Sequence, residues 1–204
     1  MSRILECFEA IVREHPDKPA VELRENQLTF QELASFSKRI GSAINNLDIS
    51  KKPIGVLTDR AIEPLAGFIG ILYSNNFYVP IDVEMPMEKI HHVIEDANLP
   101  AILCSHDGDE ILEAVNYKGV VVHYDELPSD ECEIPQDPTN DLLYMVYTSG
   151  STGKPKGVLK TQSAELCFID AYWKRMEFSE NDIIGNQTPF FFDAAAKDFY
   201  LRNL

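Results

Sequence analysis

The chain has 204 residues, with 33 Asp and Glu against 18 Lys and Arg, for a formal charge of −15 with histidine neutral. A surface this negative repels phosphate backbones and anionic headgroups, so nucleic acid and membranes are excluded as expected partners, and any phosphate bound must be held locally. An apolar fraction of 45% excludes a wholly disordered acidic chain, and the longest apolar run, around Ala66 to Tyr73, is far short of the ~20 residues needed to cross a bilayer.

The N-terminal stretch places Ile4, Leu5, Phe8, Ile11 and Val12 on one face with Glu6, Glu9 and Arg13 between them, which predicts an amphipathic helix and not a signal sequence. After Pro16, Ala20 to Leu23 and Leu28 to Phe30 read as short strands around the polar turn RENQ. Thr29 and Glu32 have capping-box spacing, and a helix carrying Leu33, Phe36, Ile40, Ile44 and Leu47 follows. Strands are then expected at Ile54 to Leu57, Phe77 to Asp82, Ala101 to Cys104 and Gly119 to Tyr124. They alternate with helices at about 62–73, 86–97 and 109–115. Such alternation means an α/β fold with a mostly parallel, helix-covered sheet.

The stretch from Asp125 to Asp141 is acidic and carries Pro128, Pro135 and Pro138, so it reads as a surface connection between a first α/β half, 1–124, and a second beginning at 142. Beyond it, Leu142 to Thr148, Gly157 to Thr161 and Asp182 to Thr188 are expected strands, with a helix from Ser163 to about Met176. The residues from Ala194 to Leu204 have helical spacing but no C-cap signal or following strand, and a truncation is inferred. Cys7, Cys104, Cys132 and Cys167 form no Cys-x-x-Cys pair, so free thiols in a reducing, cytoplasmic setting are expected. His91 and His92, adjacent on a helix, point about 100° apart and read as surface or satisfied residues rather than a metal pair.

The stretch Tyr147 to Gly157, YTSGSTGKPKG, lies between two apolar runs and carries the chemistry. Gly150, Gly153 and Gly157 admit left-handed backbone and close approach to an anion. Ser149, Ser151 and Thr152 add hydroxyls, and Lys154 and Lys156 add charge. The pattern is that of a phosphate cradle, against the plainer reading of a flexible polar hairpin. It is not a Walker A loop, because Pro155 follows Lys154, and Pro155 also argues against a helix starting there. Ser151 and Lys154 satisfy S-x-x-K, but the accompanying S-D-N and K-T-G elements of acyl-enzyme nucleophiles are missing.

TSGSTGKPKG resembles the phosphate-loop signature of the adenylate-forming enzymes: nonribosomal peptide synthetase adenylation domains, acyl-CoA synthetases, D-alanine–carrier ligases and luciferases. The amino-acid-activating branch is the nearest. LTFQEL resembles its first core motif, ILYSNNFYVPIDVEMPMEKI its second, LLYMVYTSGSTGKPKGV its third and FFFDAA its fourth. The resemblance covers nearly the whole chain. It implies that residues 1–204 form the N-terminal part of the large domain of that fold, without the C-terminal lid.

The resemblance implies attack of a carboxylate on the α-phosphate of Mg-ATP, giving an acyl-adenylate and pyrophosphate, with later transfer to a phosphopantetheine thiol on a carrier protein. By similarity Thr148, Ser149, Gly150, Ser151, Thr152, Gly153, Lys154, Lys156 and Gly157 hold the ATP phosphates, with Thr148 near the Mg2+. Asp193 would pair with the α-ammonium of an amino acid, Phe192 would form an aromatic wall, and Ala194 and Lys197 fall where selectivity residues sit. A plain helix N-cap is the other reading of Asp193, and a solvated helix residue that of Lys197. Gln162 stands near the position where the family often carries a histidine.

The family's catalytic lysine has no counterpart in this sequence, so little or no ligase activity is expected of these 204 residues, along with poor solubility or self-association. The competing readings are a fatty-acid or aryl-acid CoA ligase, in which Asp193 would have no cation to pair with, and a non-catalytic nucleotide- or partner-binding remnant.

Overall fold

Apolar runs of four to six residues alternate with amphipathic stretches, and in the computed structural model, which describes residues 3–59, 61–137, 139–148, 155–179 and 182–203, the two become strands and covering helices. The order is α1 (Ile4–Glu14), β1 (Pro19–Leu23), β2 (Asn26–Thr29), α2 (Phe30–Asn45), β3 (Pro53–Thr58), α3 (Glu63–Tyr73), β4 (Phe77–Asp82), α4 (Met87–Ala97) and β5 (Ala101–Cys104). A short 3-10 turn (His106–Gly108) leads into α5 (Asp109–Ala114), β6 (Val120–His123), β7 (Leu142–Thr148), β8 (Lys156–Thr161), α6 (Gln162–Met176) and α7 (Asp193–Asn203). None of the described helices is long and apolar enough to cross a membrane.

One six-stranded sheet runs β6-β5-β3-β4-β7-β8, parallel except for the antiparallel pairing of β8 on β7. The expected mostly parallel sheet is therefore present. Period-two alternation in β3 sends Ile54 and Val56 into a core with α1, α2 and α3, while Leu57 and the Gly55 backbone face Leu99 and Ile102 on the other side. Strands buried on both faces must be apolar throughout, which is why IGVL and AILC carry no polar alternation. Each fully buried aliphatic side chain contributes about 1.5–3 kcal/mol.

β1 and β2 form a separate antiparallel hairpin, turned through Arg24 in the left-handed region at φ 57. The capping box is formed: the Thr29 N–H donates to Glu32 Oε2 at 2.8 Å, and the Glu32 N–H donates to Thr29 Oγ1 at 3.2 Å. Phe30 therefore opens α2 instead of closing β2.

The acidic connection is pinned by α2 and by the residue that precedes α1. Arg39 Nε donates to the Pro128 carbonyl at 2.8 Å, Ser42 Oγ to Asp130 Oδ2 at 2.8 Å, and the Arg3 guanidinium to the carbonyls of Pro135 and Asp137. β7 then inserts beside β4, with Tyr78 opposite Tyr144, so residues from both sides of the connection share one sheet.

The strand expected at Asp182 to Thr188 is not formed: 182–187 has no regular structure, and Ile183 is 89% exposed. A strand needs a neighbour to complete its hydrogen-bond ladder. Among the described residues this segment has none, so its apolar content alone does not make it one.

Candidate functional site

The glycine-rich stretch joins β7 to β8, which pair antiparallel. In the β7–β8 ladder Tyr147 faces Gly157 and Thr148 faces Lys156, so the connection between them leaves and returns across one closed antiparallel rung. The two flanking strands are those expected on either side of the loop. Thr148, Lys156 and Gly157 are all exposed at this mouth. The expected contacts of Ser149, Gly150, Ser151, Thr152, Gly153 and Lys154 lie outside the described residues.

Gly157 lies close under the Met145 and Tyr147 side chains. A Cβ there would stand 2.7 Å from Met145 Sδ and 3.3 Å from Tyr147 Cζ, and the residue lies in β8, outside the left-handed region. That corrects the expectation of left-handed backbone at this glycine. The physical cause is two bulky β7 side chains leaning across the rung.

The helix α4 braces the mouth from the side. Tyr147 Oη donates to Asp96 Oδ2 at 2.7 Å, the His92 ring lies edge-on to Tyr147 with centroids 6.3 Å apart, and the Pro155 carbonyl accepts from His92 Nε2 at 3.1 Å. Burial, with the nearby Asp96 carboxylate, raises the Tyr147 phenol well above its ordinary range, so it remains a donor. His91 is satisfied by the Val115 carbonyl at 3.2 Å. The sequence reading of both histidines as satisfied holds, but it did not foresee that His92 anchors the exit of the glycine-rich stretch. Only the fold brings residue 92 to residue 155.

The second group of candidates lies at the start of α7. The Phe192 N–H donates to the Pro189 carbonyl at 3.0 Å and the Ala195 N–H to the Phe192 carbonyl at 3.1 Å, a turn that leads directly into the helix. Phe192 is 51% exposed and packs on Phe191 at a centroid distance of 4.3 Å. Beneath it lies an aromatic floor, with Phe68 stacked on Tyr78 at 4.3 Å and Tyr200 Oη donating to Tyr78 Oη at 3.1 Å. The void between Phe192, Phe190, Tyr144, Val146, Phe68 and Ala196 is only about 10 Å³, room for one water at most.

Asp193 and Ala194 are exposed, and among the described residues no donor lies on the Asp193 carboxylate. Asp193 instead acts on its neighbours, helping to raise the pKa of Glu165 and of Tyr144. Lys197 is engaged with Asp198 at 3.0 Å and lies 5.0 Å over the Tyr172 ring.

Glu165 was missed by sequence reasoning. It is only 2% exposed on α6 and faces Lys160 Nζ at 3.3 Å. Burial pushes its carboxyl up, Lys160 pulls it down, and the Asp193 charge pushes it further up, with burial prevailing. The segment SAELC gave no sign of this, because an acid on a helix is ordinarily solvated.

A wide cleft of about 1110 Å³ opens between the β1–β2 hairpin, the C-terminal ends of β3 and β4, and residues 182–190. Its walls include Asp59, Asp82 and Glu84, which disfavour a phosphate chain there.

The doubly covered sheet with its glycine-rich edge hairpin defines an α/β protein of the adenylate-forming class. The chain belongs to the AMP-binding enzyme family, whose model ("AMP-binding enzyme") matches residues 8–201. It is 29% identical over 207 residues to tyrocidine synthase 1 of Brevibacillus parabrevis, covering 98% of this chain and 19% of that protein. It is 33% identical over 210 residues to a D-alanine–D-alanyl carrier protein ligase of Listeria monocytogenes, covering 97% of this chain and 40% of the ligase. A nonribosomal peptide synthetase solved in its AMPPNP-bound form superposes with a TM-score of 0.86 at 24% identity, over 98% of this chain and 22% of that one. The chain thus spans less than half the length of these relatives.

Proposed function

We propose that residues 1–204 form part of the adenylation domain of a cytoplasmic, ATP-dependent, AMP-forming ligase that activates an amino acid as its aminoacyl-adenylate and passes it to a phosphopantetheine-bearing carrier protein. In this reading 1–124 is its first α/β half and 142–204 the start of the second, joined by 125–141. The observation that carries it is the Thr148–Lys156 rung, which brings the two ends of the TSGSTGKPKG segment together, with an exposed hydroxyl and an exposed ammonium side by side in an otherwise acidic protein.

Thr148 and Lys156, with Ser149 to Lys154 and Gly157, would hold the β- and γ-phosphates while negative charge builds on the departing pyrophosphate. The donor set fits a triphosphate: hydroxyls and ammonium groups donate, and no carboxylate is contributed by Tyr147 to Gly157. The Thr148 hydroxyl is a hard oxygen donor suited to the Mg2+ that accompanies the phosphates and shields their charge. Asp193, without a donor among the described residues, would receive the substrate ammonium, with Phe192 beside it and Ala194 and Lys197 further along the same helix. That available carboxylate favours an amino acid over a fatty or aryl acid. The tyrocidine synthase and D-alanyl carrier ligase relatives support the same choice.

Calorimetric titration of the chain with Mg-ATP tests the reading. Saturable binding is expected, weakened about 10-fold or more by Lys156→Ala, since a charge-assisted hydrogen bond contributes about 1.5–3 kcal/mol. Absence of binding, or binding indifferent to both Lys154→Ala and Lys156→Ala, would overturn it.

A further inference from the structure

At the edge of the sheet opposite the glycine-rich hairpin, two histidines and three carboxylates converge. The parallel register of β5 and β6 sets Cys104 beside His123, the last residue of β6. Two residues past Cys104 the chain turns through His106, and its ring stacks on His123 with centroids 4.1 Å apart and planes 29° apart. Asp109, opening α5, takes one nitrogen of each ring: His123 Nε2 lies 2.8 Å from Oδ1 and His106 Nδ1 lies 3.3 Å from Oδ2.

One carboxylate thereby fixes both imidazoles and leaves the two remaining nitrogens on the far side, where the chain leaving β6 brings Asp125 and Glu126. His106 Nε2 is 3.2 Å from Asp125 Oδ2 and 3.9 Å from Glu126 Oε1, and His123 Nδ1 is 3.7 Å from Glu126 Oε2. Four ligands at ~2.0–2.1 Å around a tetrahedral zinc ion stand about 3.3–3.4 Å from one another. His106, His123 and Glu126 each offer a ligand atom within 4.8 Å of the others, so reaching that spacing takes side-chain rotation that turns the stacked rings until both lone pairs meet at the ion.

We propose that His106 Nε2, His123 Nδ1 and the Glu126 carboxylate form a three-ligand binding site for a divalent transition-metal ion of the zinc class, with Asp109 as the carboxylate that orients both imidazoles and Asp125 beside His106 at its rim. Two neutral imidazoles and one carboxylate, with solvent in the fourth position, are a borderline donor set suited to zinc rather than to Mg2+ or Ca2+, which take oxygen ligands. A carboxylate on the outer nitrogen of a ligating histidine is the usual means of fixing ring orientation. The net charge of −15 draws cations to the surface, and the His106 side chain is 52% exposed, leaving an entry path.

Cys104, Asp109 and His123 also approach one another closely enough to share an ion. Cys104 is fully buried, however, and its Sγ packs against Gly108, where the thiolate a metal requires is disfavoured. Bound metal would tie the edge strand β6 to the turn after β5 and to the start of the 125–141 connection. The site shares no residue with the nucleotide hairpin and stands independently of the proposed ligase function.

The test is titration of the metal-free chain with ZnCl2 by calorimetry and with Co2+ by visible absorption. One ion per chain is expected, with a tetrahedral Co2+ spectrum lacking thiolate charge transfer. Affinity should fall at least 10-fold in a His106→Gln, His123→Gln double variant, should fall about 10-fold in Asp109→Asn, and should not change in Cys104→Ala. A melting curve in EDTA matching the wild type establishes that the variants are folded, and the wild-type cobalt spectrum decides the ligand type whether or not they are. No saturable binding, unchanged affinity in the double histidine variant, or a charge-transfer band lost in Cys104→Ala would each sink the proposal.

Discussion

Glu9 illustrates how a single residue couples sequence to stability. On the polar side of α1 it reads as a solvated acid, yet the fold sets it 2.8 Å from Lys38 Nζ, and Tyr73 Oη donates to it from α3. Burial alone would raise its pKa, but the hydrogen bonds from Lys38 and Tyr73 and the charges of Lys38 and Arg13 outweigh it and hold the carboxyl below its ordinary value. The unfolded chain then binds more protons than the folded one between that depressed pKa and the usual carboxylate range. Stability contributed by Glu9 is present above about pH 4.3 and is lost as pH falls through the folded pKa. Glu9→Gln is expected to cost about 1–2 kcal/mol at neutral pH and to flatten this part of the acid limb, as read by urea melts from pH 3 to pH 6; an unchanged slope would contradict the assignment. Glu165 has the opposite sign, since its raised pKa favours the folded state when it is protonated.

Among the elements, the crossing of α2 and α3 depends on residues with no side chain. A Cβ on Gly70 would lie 2.6 Å from Ile40 Cβ and 2.7 Å from the Ser37 carbonyl oxygen, and one on Gly41 would lie 2.8 Å from Tyr73 Cβ. Each helix lends a glycine to the other's close approach. Gly70→Ala gains up to about 1 kcal/mol in helix propensity, but overpacking against backbone and a β-branched side chain costs about 1–3 kcal/mol. Because the Ser37 carbonyl cannot move out of α2, the second effect wins, and a net loss of about 1–2 kcal/mol is expected in denaturant melts. A stabilised Gly70→Ala variant would show that the helices separate freely. At this scale much of the fold was legible: β4, β5 and β7 fall where the apolar runs predicted, and the Thr29–Glu32 box opens α2. The glycine contacts were not, since FIGILY shows small residues in a helix without showing what they face.

Across the whole molecule, exposed apolar side chains concentrate in one part of the chain. Val158, Leu159, Phe168, Trp173, Met176, Ile183 and Phe192 all lie between β8 and the start of α7, and among the described residues β8 is an edge strand with one side unpaired. An apolar edge of this kind promotes association even in a molecule of high negative charge. Sedimentation velocity at rising protein concentration is expected to show self-association, relieved by Leu159→Lys on β8. A monodisperse monomer at every concentration would refute it.

By itself the sequence determined the alternation of strands and helices, the mostly parallel sheet and the strands that flank TSGSTGKPKG, because these follow from local periodicity, turn chemistry and proline geometry. Tertiary structure alone decided that 182–187 stays irregular, that His92 reaches Pro155, that Glu165 is buried against Lys160, and that His106 and His123 share Asp109. Each of those depends on which distant segment supplies the neighbour. A ladder partner, a counter-charge or a second imidazole is a property of the packed chain, set by strand order and register, and no local pattern records it.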